Sequence, residues 1–390
     1  MALKLRKATE KSRKSRKYLM KVVSIYFWIC VLFLSAPVSN SNSKCLKLKK
    51  VVHLGWCLLV ITSTLVATYL EYKVFNGGLP DVQKFLYLSE YLLNVIIVIV
   101  TPLVSYLKQR FFDKVLSEMS SIDKDLSRIV KNLEYKELTK FFYIYLIFLS
   151  IFIGTSLPTL YFYQGKELFG FLRSSVVYIV PNLVNSLQLG QYYAILIFIR
   201  VRMTKIIAII EKLDFELKDS SEELTSLRIV FSKLEYLHFK VSQNASPITG
   251  ITFLSVFLIT SIQLFVFYQD IAENKIRNLD LSLFSLIWLC LHFGKVLCVY
   301  WFNSAISKGR NFLTDVLDHH NNLNSNEYSI TRFVLQMMMD RKPYSCGVIE
   351  LNMQDIKLFV MNISIYVIFL IQYDLILKTY NTVKNDPKKE

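Results

Sequence analysis

The chain has 390 residues, of which 53% are hydrophobic and only 19% charged. A soluble globular domain carries about 25% charged residues, so a soluble fold is excluded. The net charge is +16, but its Lys and Arg lie in flanks beside apolar runs, the pattern of a membrane protein and not of a nucleic-acid binder.

The basic N-terminal tail holds Lys4, Arg6, Lys7, Lys11, Arg13, Lys14, Arg16 and Lys17. An apolar stretch over about 18–36 follows, and Lys44, Lys47, Lys49 and Lys50 come after it. Both flanks favour the cytosolic side, so the stretch is expected to re-enter or to lie at the interface; the rival is a cleaved leader. Seven runs of membrane length come next, over about 51–70, 85–107, 141–163, 174–199, 247–268, 281–303 and 358–377. Each is close to the roughly 20 residues that cross a bilayer.

The connections give the orientation. Those over about 108–140, 200–246 and 304–357 carry eight, eight and six Lys or Arg. The connections 71–84, 164–173 and 269–280 carry two each. The basic set belongs in the cytosol, which places the N-terminus inside and the C-terminus outside. The predicted fold class is therefore all-α, a polytopic membrane protein of seven transmembrane helices with an N-terminal re-entrant or interfacial segment. Its expected parts are a basic N-terminus (1–50), a six-helix bundle with cytosolic helix extensions (51–303), a cytosolic connection and anchor helix (304–357), and a last helix with a short extracellular tail (358–390).

The connection 200–246 reads as two amphipathic helices. Ile206, Ile209, Ile210, Leu213 and Leu217 recur at helical spacing, as do Leu224, Leu227, Phe231 and Leu234 after the polar break 218–223. The connection 108–140 is expected to extend the second and third spans. The run His319 to Glu327 reads as a solvated loop. Adjacent His residues on a helix point about 100° apart, and no ligand cluster completes a metal site. The cysteines Cys30, Cys45, Cys57, Cys290, Cys298 and Cys346 lack zinc-like spacing. No cofactor, metal or enzyme constellation is expected, and the Asp and Glu residues are read as avoiding the membrane midplane. Lys295 is expected to snorkel inward or to pair with a carboxylate below.

The last span holds Gln372 in the run Ile365 to Tyr373. An amide in hydrocarbon needs a partner or water. On a helix it shares a face with Ile365, Ile368 and Phe369. Two readings stay open from these residues: a bond to a neighbouring helix, or a water-filled path. Polar and aromatic side chains of the outer half, Tyr91, Asn94, Tyr161, Tyr178, Asn182, Gln263, Phe267 and Trp288, are candidates for a small-molecule pocket. Pro158 and Pro181 are candidates for kinks.

Two blocks carry a family resemblance. The segment from Arg341 to Asn352, with Pro343, Cys346-Gly347 and Glu350-Leu351-Asn352, resembles the segment before the last span of insect gustatory receptors. Their signature of Thr-Tyr, five hydrophobic residues and Gln-Phe is matched at Tyr366, Val367 to Ile371, and Gln372, with Ile365 and Tyr373 in place of Thr and Phe. The resemblance implies a subunit of a ligand-gated non-selective cation channel, a homo- or hetero-tetramer with other receptor subunits. The last helix of each subunit would line the pore through Gln372, Tyr373, Phe369, Ile368, Ile365 and Tyr366. The implied partners are a small-molecule tastant, the lipid bilayer and permeant cations, with no nucleic acid. The implied location is the plasma membrane of sensory neuron dendrites. A G-protein-coupled receptor needs the opposite topology, and a transporter or scaffold would pass no gated current.

Overall fold

A computed structural model describes residues 21–36, 46–75, 81–130, 133, 135–163, 167–213, 219–272, 279–321, 327–339, 345–346, 349–350 and 353–385. They form helices α1 (Lys21–Leu32), α2 (Leu46–Phe75), α3 (Asp81–Leu107), α4 (Gln109–Ile129), α5 (Lys136–Tyr163) and α6 (Leu168–Ser174). A π-helical turn (Ser175–Ile179) leads into α7 (Val180–Ile210). Then come α8 (Asp219–Ala272), α9 (Leu279–Asn321), α10 (Glu327–Met339) and α11 (Met353–Asn385). Between α10 and α11, β1 (Ser345–Cys346) pairs antiparallel with β2 (Ile349–Glu350), Ser345 opposite Glu350. This two-residue ladder lies within the block that carries the Cys-Gly motif; the rest of that block is outside the described residues.

Among the described residues, six helices are long and apolar enough to cross a membrane, within α2, α3, α5, α8, α9 and α11. The fourth expected span, 174–199, forms the π turn and most of α7. Asn182, Asn185, Gln188 and Gln191 make α7 more polar than the other six. It tolerates them because it is the central element: 22 of its residues are buried. Its apolar side chains, among them Leu187, Leu196 and Ile199, anchor the main core, which gathers residues from α1, α4, α5, α8, α9 and α10. The protein is an all-α, multi-pass membrane protein with seven membrane-length helices.

Of the stretch 18–36, the described residues 21–36 dock inside the bundle. Its described helix, α1, is shorter than a full crossing. Tyr26 Oη donates to the Leu187 carbonyl at 2.7 Å. Leu34 ends the helix in the left-handed region at φ 61°, where the Ser35 N–H reaches back to the Cys30 carbonyl at 2.8 Å. The Ser35 carbonyl accepts bonds from Ser105 Oγ and Gln191 Nε2, at 3.1 and 2.8 Å. Gly190 allows this close approach: a Cβ there would run into the Tyr26 hydroxyl and the Tyr145 ring.

The extensions differ from expectation in three places. The second span does not run on; the chain breaks at Lys108, and α4 is a separate amphipathic helix with Phe111, Val115, Met119, Ile122 and Leu126 on one face. At the break Lys108 Nζ donates to the Asn244 carbonyl of another helix at 2.9 Å, and burial there lowers its pKa. Helix α7 ends at Ile210, so Leu213 lies past its last turn, and Leu217 lies outside the described residues. Helix α9 continues to Asn321, which puts His319 and His320 in its last turn and not in a loop; the residues after Asn321, up to 326, lie outside the described residues. No cluster of metal-ligating side chains occurs among the described residues.

Around the α7–α8 and α9–α10 connections these helices form one packed stem. Leu224, Leu227, Phe231 and Leu234 of α8 are buried with Leu313 and Leu317 of α9 and Ile330 and Phe333 of α10. Ion pairs tie α4 to its neighbours: Arg202–Asp123 at 2.7 Å, Lys240–Glu118 at 2.8 Å and Lys233–Asp125 at 2.6 Å.

Candidate functional site

Two features combine polar chemistry with membrane depth. The first is the outward face of α11. Met361, Ile365, Ile368, Gln372 and Leu375 recur at spacings of four and three, and all are exposed. Phe369, Tyr373 and Ile376 widen this face. Helix α11 is the least buried of the six apolar spans. Gln372 hydrogen-bonds to no described residue of its own chain. Of the two readings left open by the sequence, the bond to a neighbouring helix of the same subunit is therefore not made among the described residues.

Five of the six named residues share this face: Ile365, Ile368, Phe369, Gln372 and Tyr373. Tyr366 does not. Its ring packs 5.3 Å from that of Phe257 on α8, within a small core of Leu86, Phe265 and Leu370. Phase alone does not separate it from the face, since Tyr366 lies within about 20° of Tyr373, seven residues on; the contact with Phe257 of α8 is what sets it apart.

The back of α11 carries a polar latch. Asp374 is buried and accepts a bond from Gln269 Nε2 of α8 at 3.2 Å. Lys378, one turn on, lies 3.0 Å from its other oxygen.

The second feature is a polar seam through the outer half of the bundle. Glu71 of α2 is fully buried. Its carboxylate accepts bonds from Arg173 Nε and, at 2.9 Å, from Ser174 Oγ at the end of α6. The π turn follows at once. Tyr178 in that turn meets the Tyr91 hydroxyl at 3.0 Å, and Asn94 Nδ2 donates to the Val177 carbonyl at 3.2 Å. Asn182 Nδ2 donates to the Tyr178 carbonyl at 2.8 Å. Its Oδ1 accepts from Lys295 Nζ of α9 at 2.9 Å. Lys295 therefore neither snorkels nor pairs with a carboxylate below; it is buried against an amide. The π turn is the local device. It adds a residue to the helical turn and frees backbone groups for side chains to meet, a geometry often found at functional sites. Pro181 lies just after this turn, at the start of α7, and not inside a kinked span, whereas Pro158 lies inside α5.

The seam brings together Tyr91, Asn94, Tyr178 and Asn182. Trp288 joins through α9, buried and stacked on Phe152 at 5.5 Å. Tyr161 is apart: it is partly exposed, with its ring on Phe171 at 5.6 Å. Phe267 is exposed and Gln263 only half-buried. Glu71 and Glu90 stand near the ends of their spans, so the reading that carboxylates avoid the membrane midplane passes over them. Glu90 stands five residues into the second span and is buried; a carboxylate at that place in an apolar run was itself the signal.

A small cavity of about 30 Å³ lies elsewhere, between the α3–α4 break, α7 and α8, lined by Phe111, Gln188, Tyr192 and Asn244 among others.

The family profile described as 7tm Chemosensory receptor matches residues 12–377. A Drosophila melanogaster chain named as gustatory receptor 59f is 23% identical over 355 residues, covering 90% of this chain and 87% of its own. Gustatory receptor 59e of the same organism is 21% identical over 351 residues, covering 83% and 88%. Among solved structures, the insect olfactory receptor OR5 from Machilis hrabei superimposes with a TM-score of 0.65 at 14% identity, over 91% of this chain and 98% of that one. Its complex with eugenol gives 0.64 at 14% identity, over 93% and 99%. The fold described above is thus similar to that of this insect olfactory receptor.

Proposed function

The chain belongs to the 7tm chemosensory receptor family, and from that premise we propose that it is one subunit of a ligand-gated, non-selective cation channel that detects small-molecule tastants. Four subunits surround an axis, with identical copies or related receptor subunits in the ring. The outward face of α11 lines the pore. The seam around Tyr91, Tyr178, Asn182 and Trp288 takes the ligand. The N-terminus lies in the cytosol, as the basic connections require, and the channel works in the plasma membrane of chemosensory neurons.

One observation carries this reading: Gln372 is an exposed amide on an otherwise apolar face. Lipid cannot satisfy an amide, but a water-filled path can. In a ring of four, Ile365, Ile368 and Phe369 make an apolar constriction that blocks ions by dewetting, and an uncharged amide ring beside it offers little charge selection. Opening requires α11 to move against the bundle, and the Asp374–Gln269 bond is a contact through which α8 can hold it.

The test is expression, with and without co-expressed receptor subunits, in cells that lack G-protein signalling. Tastants are expected to evoke cation currents, while antibodies reach a C-terminal tag on intact cells and fail to reach an N-terminal one. An accessible N-terminus with a protected C-terminus would instead fit a G-protein-coupled receptor.

A further inference from the structure

Trp288, His292 and Lys295 are spaced four and three residues apart on α9, so they share one face. All three are buried, at 5%, 1% and 7% exposure. His292 packs on the Trp288 ring at 5.0 Å. Both of its ring nitrogens are buried and meet no hydrogen-bond partner among the described residues. An ammonium has three donors, and Asn182 Oδ1 takes one from Lys295 at 2.9 Å. No carboxylate among the described residues pairs with Lys295; Glu71 in the same seam is engaged by Arg173 and Ser174.

Burying an ammonium against a neutral amide is costly, and so is an imidazole with nothing to bond. Both costs fall if one anion meets both groups. A cationic ligand would be repelled by Lys295. A phosphate dianion would ask for more donors than one ammonium and one imidazole supply. A carboxylate matches these donors in charge and number: one oxygen for Lys295 Nζ, the other for a His292 N–H. The stacked pair Trp288 and Phe152 supplies an aromatic wall beside it.

We infer that this stripe of α9 receives the carboxylate of a small aromatic acid, held by Lys295 and His292 with its ring against Trp288 and Phe152. The inference rests on the ligand-gated reading above and names the chemical class of the ligand.

The test uses the purified full chain in detergent, with binding read from ligand-induced thermal stabilisation. Benzoate and cinnamate are compared with benzyl alcohol and cinnamyl alcohol, which keep the ring and lose the charge. The acids are expected to bind at least about tenfold more tightly, the share of one charge-assisted hydrogen bond. Lys295→Met should erase that preference; it removes a buried charge, so the fold should hold. Asn182→Asp keeps the lysine but gives it a resident carboxylate, and should lower acid affinity by a similar factor. Equal binding of acids and alcohols, no binding of either acid, or acid affinity unchanged in both variants overturns the inference. Current recording separates it from the channel reading. Acid binding without current leaves the site standing and defeats the channel. Currents evoked by other tastants, with no acid binding, defeat only the site.

Discussion

Replacing Arg173 by Met is expected to destabilise the receptor by about 3–5 kcal/mol, enough to remove most of it from the cell surface. The substitution strands the Glu71 carboxylate, whose side chain is fully buried while that of Arg173 is only 11% exposed. Ser174 Oγ remains as a donor, but one hydroxyl does not neutralise a charge. The pair also joins α2 to the entrance of the π turn, so its loss loosens the turn that carries Tyr178. Removing both charges together, Glu71→Leu with Arg173→Met, should recover most of the lost stability, because two apolar side chains replace a pair that was costly to desolvate. Surface labelling and thermal unfolding of the detergent-solubilised chain check both outcomes. Equal damage from the single and the double variant would mean that the pair is not the source of the effect.

Replacing Ile368 by Asn is expected to open the channel without ligand, raising resting current about tenfold or more. Ile368 is 54% exposed within its own chain, on the face that the proposal turns toward the axis. Four amides in place of four apolar side chains hydrate the constriction and remove the dewetting barrier. Leu370, two residues on, is 6% exposed and packs with Leu86 and Phe265. Leu370→Asn should therefore lower expression and give no leak. A leak from Leu370→Asn, or none from Ile368→Asn at normal surface expression, would show that the faces of α11 are assigned the wrong way round.

Much of the fold follows from apolar length and from spacing within one helix. The span over 51–70 lies inside α2, whereas the polar break expected over 218–223 falls largely on the first residues of α8, which begins at Asp219. Where a feature depends on a partner far along the chain, spacing is silent. Glu71 meets Arg173 across 102 residues, and Lys295 meets Asn182 across 113. No periodicity marks either pair. The break at Lys108 is similar, because the lysine there bonds the Asn244 carbonyl on another helix. Helical phase on α11 was legible for Ile365, Ile368, Phe369 and Gln372. Tyr366 shares the helical phase of Tyr373 to within about 20°, and what covers it is Phe257 on α8, a partner that spacing within one helix cannot show. Of the pocket candidates, those that converge lie at or beside the π turn or on facing helices. Tyr161 and Phe267 share their aromatic character but not their direction, which composition cannot reveal.

The central claim is that the outward face of α11 meets water in an open pore. Single cysteines placed from 365 to 376, in a chain with Cys290 and Cys298 changed to serine, test it most directly during ligand-evoked current. A water-soluble, membrane-impermeant thiol reagent is predicted to alter the current at 365, 368, 369 and 372, and to leave it unchanged at 366 and 370. Uniform inertness across the helix, or reaction at 366 and 370 instead, would contradict a pore lined by this face.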